Sequence, residues 1–269
     1  MNDNGGLVVS GITKRFGALP VLDALSLTVQ PGRVIALLGP SGCGKSTLLH
    51  ICAGLLAPDQ GRVTLDGENI TGRAGHMSYL QQKDLLLPWR RIIDNVALPL
   101  ELKGMRKRAA REQAQPHFER FGIAGFEHHF PAQLSGGMRQ RAALLRTYLF
   151  SREIMLLDEP FGALDTITRT RMHEWLLRLL ADLGPGVLLV THDVDEALLL
   201  SDEVIVLSRR PAHEVERVAV QFPRPRGENT LLSEAFRRTK AQLLTALHRG
   251  EGKPEAVASA SETSYTPHP

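Results

Sequence analysis

Cysteine and unbroken apolar sequence are both scarce in this chain of 269 residues. Its two cysteines, Cys43 and Cys52, form neither a metal-ligand pattern nor a disulfide framework, which excludes a disulfide-stapled scaffold and points to a reducing cytosol. The most apolar region, Leu176 to Val190, is interrupted by Arg178, Asp182 and the GPG at Gly184 to Gly186. It falls short of the roughly 18 clean apolar residues of a membrane span. The opening MNDNGGLVVSGITKRF has no basic start followed by an apolar core, so no signal peptide is expected. An excess of one charge is missing as well. The 32 basic residues face 29 acidic ones, a net charge of +3 that is too even for a protein working by neutralising nucleic-acid phosphates. Any membrane role is therefore expected to come through a partner, and no internal repeat is present.

What is present suits a substantial core: 43% of the residues are apolar, enough for one large domain or one domain with a small appendage. LVVSGI and LSLTV alternate as antiparallel strands do, with Pro31 and Gly32 as turn residues, which predicts a small N-terminal β layer. From Arg33 the pattern changes to short apolar strands followed by helices: VIALL then KSTLLHICAGLL, IMLLD then TRTRMHEWLLRLLADL, VLLVT then VDEALLL. That succession predicts an α/β fold with a parallel sheet. Between about Lys83 and Ala132 only helical patterns occur, in RIIDNVALPLEL and KRAAREQAQPHFERF, as for a helical insertion into the sheet domain. The expected division is a domain over 1–210 with its helical subdomain at about 83–150, then an extension over 211–249. The extension holds a strand, HEVERVAV, and an amphipathic helix from about Leu231 to Leu247. It reads as a cap on the sheet domain, with a regulatory role or a dimer contact as alternatives. The tail 250–269 is small, polar and Pro-containing, a composition that predicts disorder.

Three strand ends carry the chemistry. GPSGCGKST, comprising Gly39, Pro40, Ser41, Gly42, Cys43, Gly44, Lys45, Ser46 and Thr47, fits the phosphate-loop pattern and lies between a strand and a helix. Its glycines let backbone N–H groups approach phosphate oxygens, Lys45 is suited to bridge β and γ phosphates, and Ser46 is suited to ligate Mg²⁺. In IMLLDEP an apolar strand ends in two acids: Asp158, suited to Mg²⁺, and Glu159, suited to polarise the water that attacks the γ-phosphate. VLLVTHD brings His192 to the same sheet edge, where it can donate to the γ-phosphate. A further Gly-rich helix start, LSGGMRQR at Leu134 to Arg141, resembles a second phosphate cradle, although one nucleotide needs only one.

Gly39 to Thr47, Leu134 to Arg141, Ile154 to Pro160 and His192 together resemble, in order and spacing, the ATP-binding-cassette (ABC) ATPases, over roughly residues 7 to 210. The resemblance implies a P-loop NTPase core with a parallel sheet, an antiparallel N-terminal β layer and an inserted helical subdomain, and it implies ATP and Mg²⁺ as ligands. In that family LSGGMRQR is the signature. Its Ser135, Gly136 and Gly137 are expected at the γ-phosphate held by the opposite subunit, which would explain the second cradle. GALD resembles the loop in which Asp165 acts across the dimer, although the family more often has serine where Gly162 stands. Phe16 matches the aromatic that stacks on adenine, commonly a tyrosine, with a core phenylalanine as the alternative. The glutamine that senses Mg²⁺ and the attacking water is Gln81 or Gln82; family spacing favours Gln82, and only one of two neighbours on a strand can face the nucleotide. LLLPWRRIIDNVALPLEL resembles the region found in importers of nitrate, sulfonates, taurine and thiamine pyrimidine precursors. Its Leu85 to Trp89 is either a surface for a membrane subunit or part of the helical lobe's interior.

The expected function is the ATPase subunit of an importer for a small solute, at the cytoplasmic face of the plasma membrane. It would act as a pair of copies sandwiching two ATP molecules, coupled to integral membrane permease subunits and indirectly to a substrate-binding protein, with no nucleic-acid partner. The alternatives are an exporter ATPase and a cassette ATPase acting on DNA or ribosomes. Against the latter, the chain has neither a long coiled coil nor a second cassette.

Overall fold

The structure is a computed structural model that describes residues 5–151 and 153–252. Strands β1 (Leu7–Phe16) and β2 (Leu19–Val29) pair antiparallel. β3 (Val34–Leu38) then leads through the Gly-rich loop into α1 (Lys45–Cys52). β4 (Gln60–Leu65) and β5 (Glu68–Asn69) complete a four-stranded sheet in the order β2-β1-β4-β5. β6 (Ser78–Leu80) is followed by short helices: α2 (Ile92–Val96), α3 (Leu98–Leu102), α4 (Lys107–Ala114) and α5 (His117–Arg120). Next come α6 (Gly136–Phe150), β7 (Ile154–Asp158), α7 (Thr166–Leu183), β8 (Gly186–Thr191), α8 (Val194–Leu200) and β9 (Glu203–Leu207). The extension supplies β10 (Glu214–Ala219), α9 (Glu228–Leu231) and α10 (Glu234–Glu251).

The second sheet has the order β10-β9-β3-β8-β7-β6; its pairs are parallel except for the antiparallel edge pair β9–β10. All residues of β3, β7 and β8 are buried, as expected of parallel strands covered on both faces. Alternation along them sorts two cores. Val34, Ala36, Leu38, Met155, Leu157, Val187 and Leu189 face the helices, whereas Ile35, Leu37, Ile154, Leu156, Leu188 and Val190 face α1 and the antiparallel sheet. Burial of each valine, leucine, isoleucine or methionine side chain among them contributes roughly 1.5–3 kcal/mol relative to exposure. Because β6, β7, β8 and β3 run parallel, their carboxyl ends open on one edge, where ligands of open α/β sheets bind.

Several elements differ in detail from the sequence expectation. RIIDNVALPLEL is not one helix: it divides at Ala97 into α2 and α3, with Pro99 in the first turn of α3. The helix expected from Leu231 to Leu247 starts at Glu234, where the Ser233 hydroxyl accepts from the Phe236 N–H, and it runs to Glu251. It therefore extends into the stretch expected to lack order. Gly250 is buried there, and a Cβ on it would lie 3.1 Å from Val215 Cγ2 and 3.2 Å from the Leu207 carbonyl oxygen. The rest of the expected tail, 253–269, lies outside the described residues. Among the described residues no helix is long and apolar enough to cross a membrane.

Candidate active site

The loop between β3 and α1 is shaped by tight packing. Gly44 has φ 129°, and a Cβ there would meet Leu22 Cδ2 at 2.8 Å, so only glycine fits. Lys45, 5% exposed, donates from Nζ to the carbonyls of Gly39 at 2.6 Å and Pro40 at 2.9 Å, its stem lying along the loop. Cys43 is buried beside it, and Cys52 is buried in α1 with its thiol pushed up to about 12 by desolvation. Neither sulfur belongs to a cluster of three or more metal-ligating side chains; none exists among the described residues. A cleft is lined by Ser41, Gly42, Lys45, Ser46, Thr47 and Glu159, among others.

At the end of β7, Asp158 is 6% exposed. Its Oδ2 accepts from the Tyr79 hydroxyl at 3.1 Å, and the nearby Ser46 hydroxyl favours its ionised form. Burial raises this carboxyl above the usual range, and burial together with the adjacent Asp158 raises the Tyr79 phenol. Glu159 follows with φ 45°, a left-handed backbone for a non-glycine residue, fixed by its N–H bond to the Val190 carbonyl at 2.9 Å. Gln82 Nε2 donates to Glu159 Oε2 at 3.2 Å, and His192 Nδ1 lies 3.2 Å from Glu159 Oε1. The ends of β6, β7 and β8 thus bring Gln82 and His192 onto the Glu159 carboxylate. Among the described residues no such contact is recorded for Gln81. A side chain at Gly162 would begin 3.4 Å from Glu159 Oε2, an ordinary contact distance, so backbone sterics do not require glycine there.

The other candidates lie apart from this cleft. Ser135 caps α6, accepting from the Met138 N–H at 3.3 Å, and Asp165 caps α7, accepting from the Thr168 N–H at 3.0 Å. The two helix starts pack together, since a Cβ on Gly137 would be 3.2 Å from Thr168 Cγ2. None of Ser135, Gly136, Gly137 or Asp165 lines the phosphate cleft. The groups are linked by an ion pair between Arg139 Nε of α6 and Asp84 Oδ2 at 3.2 Å, two residues beyond Gln82. Phe16 is 50% exposed at the end of β1, so the core alternative does not hold. Leu85 and Trp89 are also exposed, at 49% and 73%, which overturns burial in the lobe for those two, while Leu86 is buried.

Sequence reasoning missed Tyr79 and Arg210. Tyr79 is brought to Asp158 by parallel pairing of β6 with β7, and Arg210 lines the cleft from the turn after β9. Neither carries a motif signal; only strand pairing could have found Tyr79.

The family model described as ABC transporter matches residues 22–162. A taurine import ATP-binding protein of Yersinia pestis is 44% identical over 216 residues, covering 80% of this chain and 85% of that protein. A formylaminopyrimidine import ATP-binding protein of Halalkalibacterium halodurans is 46% identical over 201 residues, covering 75% and 78%. Among solved structures, a dimeric bacterial ABC transporter cassette superposes with a TM-score of 0.69 at 28% identity, covering 81% of this chain and 100% of that one. A post-hydrolysis cassette bound to ADP and Pi superposes with a TM-score of 0.68 at 27% identity and the same coverage.

Proposed function

The chain belongs to the ABC transporter family, and we propose that it is the ATP-hydrolysing subunit of an importer, working as a pair of copies on integral membrane permease subunits. The observation that carries the hydrolytic reading is the Glu159 carboxylate held between Gln82 and His192 beside the Lys45 cleft. Glu159 is the general base for the attacking water. Gln82 orients that water, and His192 donates to the departing phosphoryl oxygens. The loop from Gly39 to Thr47 binds the ATP phosphates through its backbone N–H groups and Lys45, and Phe16 offers a ring face to adenine.

The residues present suit Mg²⁺. Asp158, Ser46 and the Gln82 amide oxygen are hard oxygen donors, and the Ser46 hydroxyl near the buried Asp158 favours its ionised form. Bound there, Mg²⁺ would neutralise developing charge on the phosphates. This chain's residues do the rest: they orient the nucleotide, hold the water and take its proton.

Ser135, Gly136, Gly137 and Asp165 belong to a second copy's site. Ser135 and Asp165 are exposed at two helix starts and none of the four residues lines its own cleft, which supports this reading because a helix N-terminus offers donors to an anion. Leu85 and Trp89 are the apolar surface offered to the permease, which holds the chain at the cytoplasmic face of the membrane. A substrate-binding protein acts through the permease, and nucleic acid has no part. The 1–210 domain carries the chemistry, with the segment at 83–150 transmitting it and the extension at 211–249 capping the sheet. Substituting Glu159→Gln is expected to reduce ATP turnover at least 100-fold while ATP still binds, the order expected for loss of a general base. Turnover at the wild-type rate would refute the assignment.

A further inference from the structure

The phosphate cleft contains a cation that none of the motifs supplies. Arg210, in the turn between β9 and β10, lines it together with Lys45 and Glu159, and its Nε donates to the Gly42 carbonyl of the phosphate loop. Among the described residues no carboxylate pairs with it. Lys45 Nζ is engaged by the Gly39 and Pro40 carbonyls. A guanidinium has five donors in a fixed fork, so with Nε on Gly42 the two terminal nitrogens remain for an anion.

The turn is held from several sides. The Ser208 hydroxyl donates to the Arg209 carbonyl at 2.8 Å, and the Arg209 N–H donates to the Gly250 carbonyl of α10 at 2.9 Å. Ala212 exchanges backbone bonds with β2: its N–H donates to the Val21 carbonyl and its carbonyl accepts from the Asp23 N–H, both at 2.9 Å. An exposed arginine on such a fixed base loses less conformational freedom on binding than one on a free loop. Polyanionic phosphate is the chemistry that a fork beside Lys45 and the phosphate loop fits.

We infer that Arg210 is a further nucleotide-binding residue, a second cation for the ATP phosphates whose Nε also holds the Gly42 peptide of the loop. The inference rests on the proposed nucleotide site. It also gives the C-terminal extension a part in that site, since the last turn of α10 anchors the backbone carrying Arg210.

The test is ATP binding by titration calorimetry at several salt concentrations, with wild type, Arg210→Gln, Arg210→Lys and Lys45→Ala, each first melted without nucleotide to verify folding. Arg210→Gln is expected to weaken ATP binding about tenfold, the scale of one charge-assisted contact, and to flatten its salt dependence. Arg210→Lys keeps the charge, so its salt dependence should stay near wild type while affinity falls less. Should Arg210→Gln fail to fold, the lysine variant decides. A wild-type salt dependence with reduced affinity supports the inference, and unchanged affinity overturns it. Wild-type affinity in Arg210→Gln, or weakened affinity with an unaltered salt dependence, would also overturn it. Loss of binding in Lys45→Ala with normal binding in Arg210→Gln would refute the inference alone, whereas normal binding in Lys45→Ala would refute the site itself.

Discussion

Asp158 shows how burial sets chemistry at the scale of a single residue. Its carboxyl is raised by desolvation, while the bond from Tyr79 and the nearby Ser46 hydroxyl favour the ionised form only in part. On the proposed reading that Asp158 holds Mg²⁺, protons compete with the metal for it, and lowering the pH through the raised value shifts the group towards its neutral, non-ligating form. The apparent Mg²⁺ requirement of ATP hydrolysis should be greater at a lower pH nearer that raised value than at neutral pH, and should rise more than in Asp158→Asn, whose remaining dependence reflects ATP itself. Metal titrations at the two pH values measure this; identical pH dependence in both proteins would contradict it. Asp158, Glu159 and His192 could be traced to one sheet edge from sequence because each ends a buried aliphatic run, and such strands align in parallel. The choice between Gln81 and Gln82, and the exposure of Phe16, depend on which way one residue faces at a strand end. Only the folded chain decides that.

Among elements, the helical segment shows what periodicity leaves out. Asp94 of α2 is buried yet accepts two bonds from Arg111 of α4, both at 2.8 Å, with Lys107 Nζ at 3.4 Å. Its neighbour Asn95 donates to the Leu87, Arg90 and Arg91 carbonyls and accepts from the Leu87 N–H, which fixes the segment bearing Leu85 and Trp89. Asp94→Asn keeps the shape and removes the charge, and should lower unfolding free energy by about 1.5 kcal/mol, the scale of a hydrogen bond to a charged group. Denaturant titration with an unchanged slope and midpoint would count against this account. The Asp94–Arg111 contact spans 17 residues and the Asn95 bonds involve a polar side chain turned inward, neither of which apolar periodicity records. The run of α10 past Gly250 was hidden for a similar reason: glycine reads as a stop, but here it lets the helix approach Leu207 and Ser208 closely.

For the whole molecule, one question governs the rest: whether a single copy is enough. The phosphate loop, Gln82, Asp158, Glu159 and His192 gather at one edge, and Ser135 to Gly137 with Asp165 lie outside that cleft. Family membership and the fold were readable from motif order and from strand–helix succession. The proposed completion of the site by a second copy rests on resemblance, because nothing within one chain requires it. The most direct test is the mass of Glu159→Gln by light scattering, with saturating ATP and with ADP. The account predicts twice the chain's mass with ATP and the monomer mass with ADP, and it predicts that Ser135→Arg in the same chain abolishes the ATP-dependent species. An ATP-loaded Glu159→Gln protein that remains monomeric across the concentrations at which the wild type hydrolyses ATP would contradict it.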